Sequence, residues 1–193
     1  MIEQVLTILI VFAAPIPWWL VLVHLAVQKK SLFYRFVAYP SLVTAWLLVG
    51  YPAFSHQKIL FASRFDSNLG LQLLGALLLI VALVIDFQVM KALGLKRLSC
   101  LGELQKDSTP VQLVTKGIYR YARHPRYIEY LLWFLGLGLI FGYQFFLWFA
   151  LYLFLGFWWA SYFEEAELVQ RFGQAYLDYQ KRVPRFFIRL QKN

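Results

Sequence analysis

The chain has 193 residues, 61% of them hydrophobic and 19% aromatic, against only 15% charged. Soluble domains run at about 45–50% apolar, and one this small has too much surface for its volume to hide the excess. Composition therefore excludes an ordinary soluble globule and leaves an integral membrane protein.

A bilayer core of about 30 Å takes about 20 helical residues to cross. Ile2–Val27 is apolar apart from Glu3, Gln4, Thr7 and His24, with a kink expected at Pro15 and Pro17. No basic stretch precedes it, so it reads as a span and not as a cleavable signal peptide. Phe36–Phe54 gives a second span and Leu69–Met90 a third, so that residues 1–95 hold three transmembrane helices. Asp86, inside the third, is an intramembrane acid and so a functional candidate, or an ion-pair partner for Lys91 a turn away. His24 and His56, near span ends, read as satisfied interfacial residues. Tyr127–Phe163 is too long for one crossing, at roughly 55 Å for a single helix. The break falls at Gly142-Tyr143-Gln144, making residues 127–163 a transmembrane hairpin. Gly136 and Gly138 in its first helix point to close helix packing. The expected fold is all-α: a polytopic membrane protein of five transmembrane helices, the last two a hairpin, with a cytoplasmic amphipathic C-terminal helix.

The formal charge of +9 supports this order. With the N-terminus outside, seventeen of the 19 Lys and Arg fall on the cytoplasmic side and two outside, as the positive-inside rule requires. The cations then report orientation and contact with anionic lipid; no nucleic-acid partner and no obligatory protein partner is implied. The single cysteine, Cys100, excludes a disulfide framework and a multi-cysteine metal site.

Two polar pieces remain on the cytoplasmic side. Residues 96–126 form a linker too long to be a plain connection. Residues 164–193 read as an amphipathic helix to about Arg182 followed by a basic tail. Leu168, Val169, Phe172, Tyr176 and Tyr179 share one face; Glu167, Arg171, Gln174 and Asp178 share the other, where Glu167 and Arg171 can pair at i,i+4.

Chemistry concentrates where these pieces meet the membrane. In Gly117-Ile-Tyr119-Arg-Tyr-Ala-Arg123-His124-Pro125-Arg-Tyr127, Pro125 bars helix at His124 and opens the next span. Free backbone N–H groups and a helix N-terminus there suit a carboxylate or phosphate, with Arg123 and His124 as further donors; a basic patch gripping lipid headgroups is the plainer alternative. At the far end of the hairpin stand Glu164 and Glu165. Glu165 shares the apolar face, where a carboxylate is costly without a cation. The pair can bind an ammonium or sulfonium group, or simply favour the N-terminus of the amphipathic helix.

On these residues the chain resembles the membrane methyltransferase family of isoprenylcysteine carboxyl methyltransferase and the phospholipid N-methyltransferases. The first motif is met at Gly117, Tyr119, Arg123, His124, Pro125 and Tyr127. The second, Glu-Glu-x-x-Leu-x-x-x-Phe-Gly-x-x-Tyr-x-x-Tyr, is met at Glu164, Glu165, Leu168, Phe172, Gly173, Tyr176 and Tyr179. Where the family usually has Gly two residues after Tyr127, this chain has Glu129, a departure on the acceptor side. The resemblance implies an S-adenosylmethionine site without a nucleotide-binding sheet. Val114, Gly117, Tyr119, His124, Pro125, Tyr127, Glu164 and Glu165 would bind the cofactor, with Arg123 and Glu129 as candidate catalytic residues. The acceptor would be lipophilic or small and membrane-soluble, reaching the site from the surrounding lipid, and the location a bacterial or archaeal cytoplasmic membrane. Steroid 5α-reductase-type membrane reductases carry similar Arg-His-Pro and acidic motifs with a nicotinamide cofactor, but have more spans. A non-enzymatic lipid-binding protein would explain the basic loops and leave the paired acids unexplained.

Overall fold

The long apolar runs leave no water for their backbone groups, so each must satisfy its hydrogen bonds internally. A computed structural model describes residues 1–28, 32–94 and 112–186, and among them every regular element is helical. The helices are α1 (Ile2–Ala13), α2 (Ile16–Gln28), α3 (Leu32–Ser55), the short α4 (Gln57–Leu60), α5 (Leu69–Leu93), α6 (Pro125–Phe141), α7 (Gln144–Phe172) and α8 (Gln174–Arg182). A 3₁₀ turn, Gly117–Arg120, precedes α6. Most of the expected 96–126 linker, through residue 111, and the tail beyond residue 186 lie outside the described residues.

Among the described residues three segments are long and apolar enough to cross a membrane: Ile2–Leu25, Leu69–Leu93 and Gln144–Phe172. The first is two helices, because the chain turns at Ala14 and Pro15 before α2 begins. The hairpin breaks where the sequence predicts. Gly142 ends α6 with φ 68° and ψ 17°, left-handed backbone that other residues adopt only at a cost, and Tyr143 opens α7. The loop before α5 pins this turn: Phe65 N–H donates to Gly142 O at 2.9 Å, and Gln144 N–H to Ser63 O at 3.1 Å.

The C-terminal helix differs from the expectation. Residues 164–182 do not form one amphipathic helix; α7 runs on to Phe172, and Gly173, at φ 56° and ψ −131°, breaks the chain before α8. A side chain at that backbone angle would be strained, so the glycine sets the break.

Small residues decide the packing. A Cβ on Gly75 of α5 would lie 2.7 Å from Gly136 O on α6, and one on Gly136 would lie 2.8 Å from Gly75 O. The sequence marks Gly136; its partner is visible only in the fold. On the other side of the bundle a Cβ on Gly156 of α7 would meet Pro17 of α2 at 2.7 Å. Tyr152 Oη donates to Ala14 O at 2.7 Å, and His24 meets Glu167 further along. Paired residues rise together along both chains, so α1–α2 and α7 run parallel. Glu3, Arg64 and Tyr143 consequently share one end of the molecule, where Arg64 Nη2 donates to Tyr143 Oη at 2.7 Å. His124, Glu164 and Glu165 share the other.

Gly136→Ala should force α5 and α6 apart and cost about 1–3 kcal/mol through overpacking, read as a lowered melting temperature in detergent. Gly50→Ala, whose Cβ meets only Val11 at an ordinary 3.4 Å, should be neutral or slightly stabilising.

Candidate functional site

Proline at the first position of α6 leaves His124 as a non-helical N-cap residue, at φ −124° and ψ 60°. Its ring is driven inward to 4% exposure, between the two acids of α7. Nδ1 lies 3.1 Å from Glu164 Oε2, and Nε2 3.0 Å from Glu165 Oε1. Carboxylates only accept, so both nitrogens carry hydrogen and the ring is an imidazolium. Burial opposes that charge, but Glu164 and Glu165 outweigh it and raise the pKa of His124 above its ordinary value. Tyr127 Oη donates to Glu164 Oε2 at 2.7 Å. The Tyr127 ring stacks on His124 with centroids 5.2 Å apart, and on Phe157 at 4.5 Å.

Glu165 is 5% exposed and surrounded by donors. Arg185 holds it bidentately, Nε to Oε1 at 3.0 Å and Nη2 to Oε2 at 2.6 Å. Gln180 Nε2 donates to Oε2 at 3.1 Å, and Arg123 Nη2 lies 3.2 Å from Oε1. The arginine before α6 that meets Glu165 is thus Arg123; Arg120 lies instead over the Tyr121 ring. Arg185 had no sequence signal beyond the basic character of the C-terminus.

One expectation fails here. The backbone N–H groups before Pro125 are not free: Arg123 N–H donates to Pro184 O and His124 N–H to Arg185 O, each at 3.0 Å. The chain after α8 folds back along the Arg-His-Pro segment and takes the donors an anion would have used. A second correction concerns Glu167. Helical periodicity puts it on the polar face with Arg171, which it does meet at 3.3 Å, yet it is 3% exposed. The apolar face of that turn is not the only one covered, because α2 packs on the other side.

Beside Glu164 is a cavity of about 140 Å³ where Val114, Tyr119 and Arg123 meet Leu168 and Arg171. The Nε of Arg123 is buried without a partner among the described residues. A larger space of about 910 Å³ adjoins it, sharing Leu93, Gln112, Leu113 and Val114, with Gly117 and Lys91 in its wall. Burial, helped by Glu164 near Tyr119 and Glu165 near Tyr176, pushes the pKa of these phenols up, and burial does the same for Tyr179. All three therefore stay neutral, and Tyr179 Oη donates to Tyr119 O at 2.5 Å, tying α8 to the 3₁₀ turn. His124, Pro125 and Tyr127 thus stand behind Glu164, and Glu165 behind His124. Glu129 is apart from this group. It is 7% exposed on α6, facing Asp86 and Arg126, and its Oε2 has no partner among the described residues.

Two outcomes follow. Glu165→Gln leaves Arg185 and Arg123 without their buried counter-charge and should cost about 3–5 kcal/mol of stability, measured by denaturation of the purified protein. The raised pKa of His124 means that its stabilising charge is complete below the free value of about 6.5 and is lost as pH rises through the folded value. Melting temperature should therefore fall across that window, and His124→Gln should flatten the fall.

Over 104 residues the chain is 36% identical to the protein-S-isoprenylcysteine O-methyltransferase of Schizosaccharomyces pombe, an alignment covering 44% of each chain. The match thus spans less than half of that relative's length. No solved structure matches the chain. Residues 71–175, which carry α5 from its third residue, the Arg-His-Pro segment, the hairpin and both acids, match the family model described as phospholipid methyltransferase. More than half of the sequence lies within that match, and the chain belongs to the phospholipid methyltransferase family.

Proposed function

We propose that this chain is an integral membrane methyltransferase that takes its methyl group from S-adenosylmethionine and passes it to a lipophilic or small membrane-soluble acceptor. The observation that carries this reading is the cavity beside Glu164, where a carboxylate and two guanidinium groups face one small space. A cofactor whose amino-acid end is a zwitterion and whose sulfur is a cation needs such a set. At about 140 Å³ the cavity suits only that end, since whole-ligand pockets run at about 300–1,000 Å³; the adjoining 910 Å³ space beside Gly117 offers room for the nucleoside.

Glu164 would hold the ammonium group, with its orientation set by His124 and Tyr127. Arg123, which lines the same space, would add a second guanidinium to the ligand's surroundings. Val114, Gly117 and Tyr119 would form the walls. Pro125 fixes the turn, and Glu165 acts from behind by holding His124 and Arg123 in place. Glu129, with an unpartnered carboxyl oxygen, would act on the acceptor side. When bound, the cofactor would supply an activated sulfonium methyl, its S–CH3 bond breaking as the bond to the acceptor's nucleophile forms and its sulfur ending as a neutral thioether. The protein then contributes chiefly proximity, orientation and exclusion of water.

The same reading places five spans across the bilayer, with α3 and the 17-residue α6 as the remaining two. The end bearing Glu3, Arg64 and Tyr143 would be outside and the Glu164 end cytoplasmic, supported by the charge asymmetry of the loops. In a Cys100→Ser background, cysteines introduced at Asp66 and Lys181 should label from opposite sides of sealed vesicles; labelling from one side overturns the topology.

Calorimetry on the purified protein should show S-adenosylhomocysteine binding in the micromolar range, about −8 kcal/mol, and no comparable binding of a reduced nicotinamide nucleotide. The opposite preference overturns the methyltransferase reading. Labelled methyl transfer into extracted lipids and volatile products then identifies the acceptor.

A further inference from the structure

The family match begins at residue 71, so α1, α2 and α3 lie outside it. One of them is nevertheless linked, through two side chains of α7, to the cavity beside Glu164. His24 of α2 and Glu167 of α7 are each 3% exposed, and His24 Nδ1 lies 2.8 Å from Glu167 Oε2. A carboxylate cannot donate, so Nδ1–H is the donor. The other oxygen of Glu167 accepts from Arg171 Nη1 at 3.3 Å. Arg171 in turn lines the cavity together with Glu164 and Arg123.

This file of three side chains is a costly way to pack α2 on α7. A buried carboxylate persists only with cations or donors around it, and apolar residues of similar size would join two helices at least as well. The contact between Pro17 and Gly156 already holds these helices together. What the file adds is a fixed place for Arg171. A guanidinium has five N–H donors, and Glu167 engages one nitrogen of it, leaving others for a ligand. Side chains on a helix lean toward its N-terminus. The bond back to Glu167, one turn earlier, keeps Arg171 leaning toward Glu164, which lies seven residues before it on the same helical face. Arg123, the other cation of the cavity, has its Nη2 on Glu165 and its side chain is 11% exposed; that of Arg171 is 28% exposed. Arg171 is thus the more accessible cation.

We propose that Arg171 binds the carboxylate of the cofactor's amino-acid end, opposite Glu164, and that His24 is a positioning residue that acts on it through Glu167. This rests on the S-adenosylmethionine reading above. It makes the N-terminal helix pair part of the cofactor site, although that pair lies outside the family match.

The test compares two ligands on the full chain by calorimetry: S-adenosylhomocysteine, and 5′-methylthioadenosine, which keeps the nucleoside and thioether but lacks the amino-acid end. Arg171→Gln should weaken the first by about tenfold to a hundredfold, the range for a lost charged hydrogen bond, and leave the second unchanged. His24→Leu should shift the same ligand in the same direction by a smaller factor. His24→Asn, which keeps an amide N–H near the position of Nδ1, should restore most of it. In the Arg171→Gln background His24→Leu should have no further effect, because both act on one contact. A His24→Leu variant that weakens both ligands equally or neither, or whose effect adds fully to that of Arg171→Gln, overturns the positioning role. Arg171→Gln binding both ligands as the parent does, or losing both alike, overturns the carboxylate contact. If the unaltered protein binds methylthioadenosine and adenosylhomocysteine equally well, the amino-acid end is not read and this inference fails alone; if it binds neither, the cofactor reading fails with it.

Discussion

Two adjacent carboxylates near the end of a long apolar helix impose the main constraint on this molecule. Neither Glu164 nor Glu165 can keep its charge in a water-poor setting without donors close by. The surrounding elements supply them: an imidazolium and a phenol at the start of α6 for Glu164, and arginines before α6 and after α8 for Glu165. His124 touches both acids. The imidazolium therefore couples the hairpin, the segment before it and the chain after α8 into one cluster.

The two acids are used differently because of this arrangement. Glu165 has protein donors on both oxygens, so its charge organises the protein. Glu164 also bonds His124 and Tyr127, yet its side chain is 26% exposed and lines the cavity. An anchored carboxylate that still reaches an open space is pre-organised for a cationic ligand, and little reorganisation is left for binding itself. The neutral phenols of Tyr119, Tyr176 and Tyr179 complete the surroundings without adding charge.

Away from this end the bundle is held by contacts that suit lipid as a solvent. Lipid tails are as apolar as leucine, so burial alone does not drive helices together in a bilayer; close packing of small residues does. Gly75 on Gly136 and Gly156 on Pro17 bring α5 to α6 and α2 to α7. These approaches fix the relative heights of the helices, and with them the level at which His24 meets Glu167.

Much of this was legible in the sequence, and the legible part is local. The apolar runs, the break at Gly142, the opening of α6 at Pro125 and the Glu167–Arg171 pair are each encoded within a few residues, through hydropathy, backbone freedom and helical spacing. That Val114, Tyr119, Arg123 and Glu164 share one site is implied by the family resemblance and not by their spacing; the fold brings them to one cavity. What only the tertiary structure decided involves partners far apart in the chain. His24 and Glu167 are 143 residues apart, and His124 and Glu165 are 41 apart. Periodicity assigns Glu167 to a polar face but cannot tell that α2 covers that face. A proline turn suggests free N–H donors but cannot tell that residues 184 and 185 return to claim them. Composition states that charges at the membrane boundary need partners; which side chain meets which depends on how the helices stack, and that is set by small residues whose contacts lie on other helices.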